Sequence, residues 1–105
     1  MTMKDVISGF DWDIGNRQKC LKHGVSIAEI EAILSNDPAI APDTKHADSE
    51  DRFIAVGRNN TGRPIFIAFS YRIKLGQRYY RPVSARYMHA KEAAHYEKKS
   101  SKTED

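Results

Sequence analysis

At 105 residues and 11.9 kDa the chain is one domain's worth, and its 40 % hydrophobic and 30 % charged residues exclude both a disordered and a membrane composition. No apolar run approaches the roughly 18 residues of a spanning helix. Met1–Gly9 has only Val6 and Ile7 as large aliphatics, unlike a secretory leader, and a lone Cys20 excludes an internal disulfide, so the expected compartment is the cytoplasm. The net charge of +3 hides a division: residues 1–51 carry 5 Lys/Arg against 10 Asp/Glu, residues 52–105 carry 12 against 4, and Arg52–Lys91 contains nine basic residues and no acid. A half so basic points to an anionic partner, most often nucleic acid, unless the two halves neutralise each other across the fold.

In chain order, 1–9 reads as a flexible end, 10–97 as a single domain and 98–105 as a flexible polar tail. Phe10-Asp11-Trp12-Asp13 reads as a short strand closed by a helix-capping aspartate. The helix that follows, Ile14 to His23, has a stripe of Ile14, the Arg17 stem, Cys20 and Leu21, and Gly24 ends it as a left-handed cap. Cys20 on that stripe reads as a small buried hydrophobe. Ser26 with Glu29 forms a capping box for a second helix that buries Ile27, Ile30, Ile33 and Leu34 and stops at Asn36-Asp37-Pro38. Ala41–Asp51 is a polar connector.

The period then changes to two. Arg52–Gly57, Pro64–Ser70 and Arg78–Ser84 read as strands of an antiparallel meander, the first two joined by the Asn- and Gly-bearing Arg58–Gly62 turn, with Pro82 marking an edge or a strand end. Ala85–Lys99 reads as a final helix burying Ala93 and Tyr96. The expected fold is α+β: a small antiparallel sheet with two N-terminal helices and one C-terminal helix packed to one side.

Chemistry narrows quickly. His23, His46, His89 and His95 have neither HExxH nor Cys–His zinc spacing, and Asp43, His46, Asp48, Glu50 and Asp51 read as a solvated acidic loop, so no metal site is expected. There is no glycine-rich phosphate loop and no cofactor is expected. What remains is a set of arginines spread over adjacent strands of the meander, Arg63, Arg72, Arg81 and Arg86, which side-chain alternation can bring to one open face, interleaved with Tyr71, Tyr79, Tyr80 and Tyr87. Guanidinium forks grip phosphate and flat rings stack on bases, the composition a single-stranded nucleic acid requires. RNA cleavage needs only a base for the 2′-hydroxyl, cations around the phosphorane and an acid for the leaving oxygen. By residue type Lys22 and His23 are the acid–base candidates, although cations before a helix C-cap also suit the helix dipole.

The order and spacing of Phe10-Asp11-Trp12-Asp13, Lys22-His23-Gly24-Val25-Ser26, Asp37-Pro38, Glu50-Asp51-Arg52, Gly57-Arg58, Gly62-Arg63, Arg72 and Arg81-Pro82-Val83-Ser84-Ala85-Arg86 resemble the BrnT family of type II toxin–antitoxin toxins, over about Phe10 to Glu97. The resemblance implies a RelE-like fold and a metal-independent endoribonuclease that inhibits translation. It also implies a BrnA-like antitoxin, bound two-plus-two, through which alone operator DNA is contacted. By position it implies Arg81 and Arg86 at the reacting phosphate, Lys22 or His23 in proton transfer, and Arg63 and Arg72, with Tyr71, on the RNA. Cys20 stands where relatives often carry Asn, and Arg81-Pro82-Val83 replaces the commoner Arg-Ile-Ile. The alternative is a non-catalytic toxin-fold protein acting only with its antitoxin in operon autoregulation.

Overall fold

A computed structural model describes residues 6–43 and 51–103. The elements are β1 (Gly9–Phe10), α1 (Ile14–Leu21), α2 (Ile27–Ser35), β2 (Ala39–Pro42), β3 (Phe53–Arg58), β4 (Pro64–Lys74), β5 (Gln77–Tyr87) and α3 (Ala90–Thr103). The expected α+β class and the β3–β4–β5 antiparallel meander are present. The sheet is larger and more mixed than expected, with order β1-β5-β4-β3-β2 and β1 running parallel to β5. Ala41 and Pro42, expected in the connector, pair with β3 as part of β2. Of the acidic loop, His46, Asp48 and Glu50 lie outside the described residues, as do 1–5 of the N-terminal segment. No helix among the described residues is long and apolar enough to cross a membrane.

Both helix starts follow the local rules. Asp13 accepts from the Asn16 N–H at 2.9 Å while Asn16 Oδ1 accepts from the Asp13 N–H at 2.7 Å, a reciprocal cap. Ser26 and Glu29 repeat the pattern. Gly24 takes φ +89, the left-handed value the α1–α2 corner requires. The expected α1 stripe is rotated. Cys20 is fully buried as expected, but Ile14 is 75 % exposed and Leu21 is also exposed, while Asn16 turns inward. Asn16 wins that place because its Nδ2 donates to the Asp11 and Pro82 carbonyls at 2.9 and 2.8 Å, a pin between α1 and β5 that Ile14 could not make.

The helices cover both faces of the sheet, not one. Cys20, Val25, Ile30, Ile33 and Leu34 of the α1–α2 layer pack on Ala55, Ile65, Ile67, Phe69 and Ala85. On the opposite face α3 lays Ala93 and Tyr96 over Ile54, Val56, Phe66 and Met88. Strand alternation explains why: β3 and β4 have apolar residues at both parities, so both faces need cover. α3 also runs past the expected end at Lys99. β4 and β5 extend beyond the expected Ser70 and Arg78 and meet at a two-residue turn, Leu75-Gly76, with both residues at positive φ.

Candidate functional site

Arg81 and Arg86 lie five residues apart on β5, and in a regular strand an odd separation sends side chains to opposite faces. They share a face here because the strand carries a bulge. Ala68 pairs with Ser84 but Phe69 pairs with Pro82, so Val83 is the extra residue. Beyond it the parity is inverted: Arg86 lies beside Phe66 and Arg81 beside Ser70, on the face that α3 covers only in part. Pro82 therefore does not end β5. It sits inside the strand, at the bulge and just past the last β1 pairing at Tyr80, where its missing N–H breaks no ladder. Four residues of β4 separate the two positions, about 13 Å at ~3.3 Å each.

At the Arg81 end the organising group is Asp11. Its carboxylate accepts from Arg81 Nη1 at 3.0 Å and Lys74 Nζ at 3.0 Å, with Arg72 Nε at 3.9 Å. Arg81 Nη2 also reaches Asp13 Oδ2 at 2.8 Å. Burial pushes the Asp11 carboxyl up, but the hydrogen bonds and charges of Lys74 and Arg81 outweigh it and hold it below its ordinary value. Asp13 is lowered too, first by the Asn16 backbone N–H and then by Arg81. Arg72 and Arg81, both expected at the RNA, thus lie together here, and Arg81 is aimed by two carboxylates. A pocket of about 330 Å³ adjoins them, lined by Arg52, Ser70, Arg81, Pro82 and Val83 and by Lys19, Asn16, Gly15 and Asp13 along α1.

At the other end Arg86 forms a two-pronged pair with Glu92 of α3, Nη2–Oε2 2.8 Å and Nη1–Oε1 3.2 Å, and lies 4.4 Å over the Phe66 ring. The pair is the main cause that holds the Glu92 carboxyl below its ordinary value. Around the same end of the sheet, on the α1–α2 face, the Arg63 guanidinium stacks 3.7 Å above the Tyr87 ring. The Tyr87 hydroxyl donates to Glu29, which Asn59 also holds. A Cβ at Gly24 would lie 4.0 Å from the Tyr87 ring, so the chain at Lys22 and His23, both exposed, runs near this cluster rather than the Arg81 end. Tyr71 is turned to the core side, stacked on Tyr80 and edge-on to Phe53 and Phe69, with Arg78 over its ring. The expected residues therefore fall into two groups: Arg72 with Arg81 at one end of the open face, and Arg86, Arg63, Lys22 and His23 around the other. Tyr71 belongs to neither.

Among the described residues no three His, Cys, Asp or Glu side chains are gathered as metal ligands. A family model described as "Ribonuclease toxin, BrnT, of type II toxin-antitoxin system" matches residues 12–92. The chain belongs to the BrnT family. The matched span begins at Trp12, whose Nε1 donates to Glu31 at 2.8 Å, and ends at Glu92, the partner of Arg86, so both ends of the basic face fall within it or at its border. A BrnT chain is a ribonuclease toxin of a type II toxin–antitoxin system, and an antitoxin partner goes with that class. No curated protein matches the chain.

Arg52 and Ser70 line the pocket beside Arg81, although neither stands among the site residues expected from the sequence. Arg52 was detectable, because it shares the parity of Ile54 and Val56. Ser70 was not, since a serine inside an apolar strand carries no local signal and its neighbours depend on cross-strand register.

Proposed function

We propose that this chain cleaves RNA without a metal ion and by that cleavage arrests translation. The ribose 2′-oxygen attacks the adjacent phosphorus as a base takes its proton. The P–O5′ bond breaks, an acid protonates the departing 5′-oxygen, and the products are a 2′,3′-cyclic phosphate and a 5′-hydroxyl. Arg86 and Arg81 neutralise the phosphates, Arg86 at the scissile one, in the manner of preorganised donors at developing charge. Arg72 positions the strand on the open face and Arg63 meets it from around the end of the sheet, while Tyr71, packed on the core side, takes no part, and Lys22 or His23 transfers protons. The observation that carries this reading is the bulge at Val83, which brings Arg81 and Arg86 onto one open face. The partner is a BrnA-like antitoxin in a two-plus-two complex, which contacts operator DNA through the antitoxin.

A second reading rests on the position of Lys22 and His23. They flank Gly24, which meets Tyr87 on the face opposite Arg86 and Arg81. If no proton-transfer group reaches the phosphate, the chain is a non-catalytic partner of its antitoxin in operon control. Incubating purified protein with a defined RNA in EDTA separates the two. Wild type is expected to cleave under chelation and leave cyclic phosphate ends, with Arg86→Ala slower by on the order of 10²-fold or more. Equal degradation by both proteins marks a contaminating nuclease and removes the assignment. An intact RNA with wild type selects the non-catalytic reading. Comparing Lys22→Ala with His23→Ala then tells which of the two transfers the proton.

A further inference from the structure

Two buried polar atoms among the described residues have no hydrogen-bond partner: Arg52 Nε and Ser70 Oγ. A buried donor left without a partner loses its hydration and gains nothing in return, so an orphan pair at one place calls for an occupant. They are neighbours. Phe53 pairs with Phe69 across β3 and β4, and one residue further along the same register Arg52 stands opposite Ser70, whose other neighbour on β5 is Arg81. Arg52, Ser70 and Arg81 thus form one row across three strands, with the outer two about 10 Å apart at the backbone. All three line the 330 Å³ pocket whose α1 wall supplies Lys19.

The chemistry of the row selects its ligand. Ser70 is 2 % exposed and its hydroxyl is free to donate, and Arg52 Nε can only donate. Arg52 makes no ion pair among the described residues, whereas Arg81 is already held by Asp11 and Asp13. With Lys19, Arg52 and Arg81 against Asp13, the lining is donor-rich and carries a net positive charge. An acceptor-only, negatively charged group of a few atoms fits it.

We propose that the Arg52–Ser70–Arg81 row is a phosphate-binding subsite, occupied by a backbone phosphodiester of the RNA a short distance along the strand from the one at Arg86. Arg52 forms the charged contact, Ser70 donates to a second phosphate oxygen, and Arg81 is pre-aimed by its two carboxylates. This inference rests on the RNA-cleaving reading above for the identity of its ligand, and the test separates the two.

The test measures binding of a fluorescent 2′-O-methyl RNA, which cannot be cleaved, at several salt concentrations to wild type, Arg52→Gln and Ser70→Ala, with cleavage of the unmodified RNA followed in parallel. Arg52→Gln is expected to weaken binding about tenfold and to reduce the salt slope by about one, the mark of a lost phosphate contact, and Ser70→Ala to weaken it severalfold. If Arg52→Gln does not fold, Ser70→Ala carries the test, because it removes a single hydroxyl. Variants that bind like a wild type that itself cleaves RNA overturn the subsite and leave the nuclease reading standing. A second arm adds inorganic phosphate. A thermal shift in wild type that is lost in Arg52→Gln, with no RNA bound or cleaved by any variant, keeps the anion site but assigns it to free phosphate and overturns the RNA subsite.

Discussion

Arg81 Nη1 donates to Asp11 Oδ2 at 3.0 Å, joining the strand next to the first helix to the strand that carries the arginines. Asp11 also holds Lys74 and lies near Arg72, so one carboxylate, 14 % exposed at its side chain, gathers three cations of the open face. Asp11→Asn is expected to cost about 1–3 kcal/mol in urea unfolding, because a charged acceptor is lost while its donors stay in place. The pH dependence has a definite sign. The folded Asp11 carboxyl is lowered, so its contribution is present above the ordinary carboxylate range and is lost as acid carries it through the lowered value. Melting temperature against pH should therefore fall less steeply below about pH 5 in Asp11→Asn than in wild type. Equal slopes would show that Asp11 is not the group being titrated.

Local chemistry was legible in the sequence and non-local pairing was not. Asp13, Gly24 and Ser26 with Glu29 announce their turns within four residues, and the structure has each of them. The parallel β1, the edge strand β2 and the cover of the second face by α3 depend on partners in other elements, 11 to 17 positions away for β2 and 70 for β1, which alternation in a single strand does not specify. The site shows the same limit. Counting residues puts Arg81 and Arg86 on opposite faces, and only the extra Val83 beside Pro82 reverses that. Ile14 and Leu21 look like a core stripe until Asn16 is seen to need the inward place for its two carbonyl partners.

Asn16 supplies the next prediction. Its side chain caps the Asp13 N–H and donates to the Asp11 and Pro82 carbonyls, fixing α1 beside the bulge. Asn16→Ala removes all three bonds and is expected to cost about 2–4 kcal/mol, the cap and two orphaned carbonyls combined. Asn16→Asp keeps the cap acceptor but turns a carboxylate toward those carbonyls. It should be at least as destabilised at neutral pH and recover part of the loss as the introduced acid protonates, which urea midpoints at pH 7 and pH 4.5 would reveal.

Gly57 lies in β3 directly beneath α2. A Cβ there would stand 2.6 Å from the Ile33 Cγ2 methyl, and Ile33 is itself buried and branched at Cβ, which limits how far that methyl can swing away. Gly57→Ala is expected to destabilise by about 1–3 kcal/mol through overpacking. Ile33→Ala opens space at a cost of its own, so the informative quantity is the coupling. The double variant should be at least about 1 kcal/mol more stable than the two single losses added together, and additive losses would remove the steric explanation.

Leu75 occupies the first position of the two-residue β4–β5 turn at φ 53, fully exposed, with Gly76 at φ 78 after it. Positive φ at both positions is the geometry that Asn-Gly adopts most readily, and a leucine there strains its own backbone without burying its side chain. Leu75→Asn is expected to raise stability by about 0.5–1 kcal/mol while leaving the arginine face unchanged. Equilibrium urea unfolding checks the gain, and RNA binding by the same variant checks that the face is intact. A loss of stability would mean that the exposed leucine is held by something other than its own turn.

Cys20 tests the core independently of the basic face. It is fully buried between α1 and the sheet, and burial pushes its thiol up to about 11. Since the thiolate is the reacting species, native protein at pH 8 should label with a thiol reagent orders of magnitude more slowly than protein in 8 M urea. Partial urea concentrations should track the global unfolding curve, because a group with no local exposure reacts only when the core opens. Labelling that runs ahead of unfolding would place a local opening between α1 and β5, at the contact that Asn16 closes.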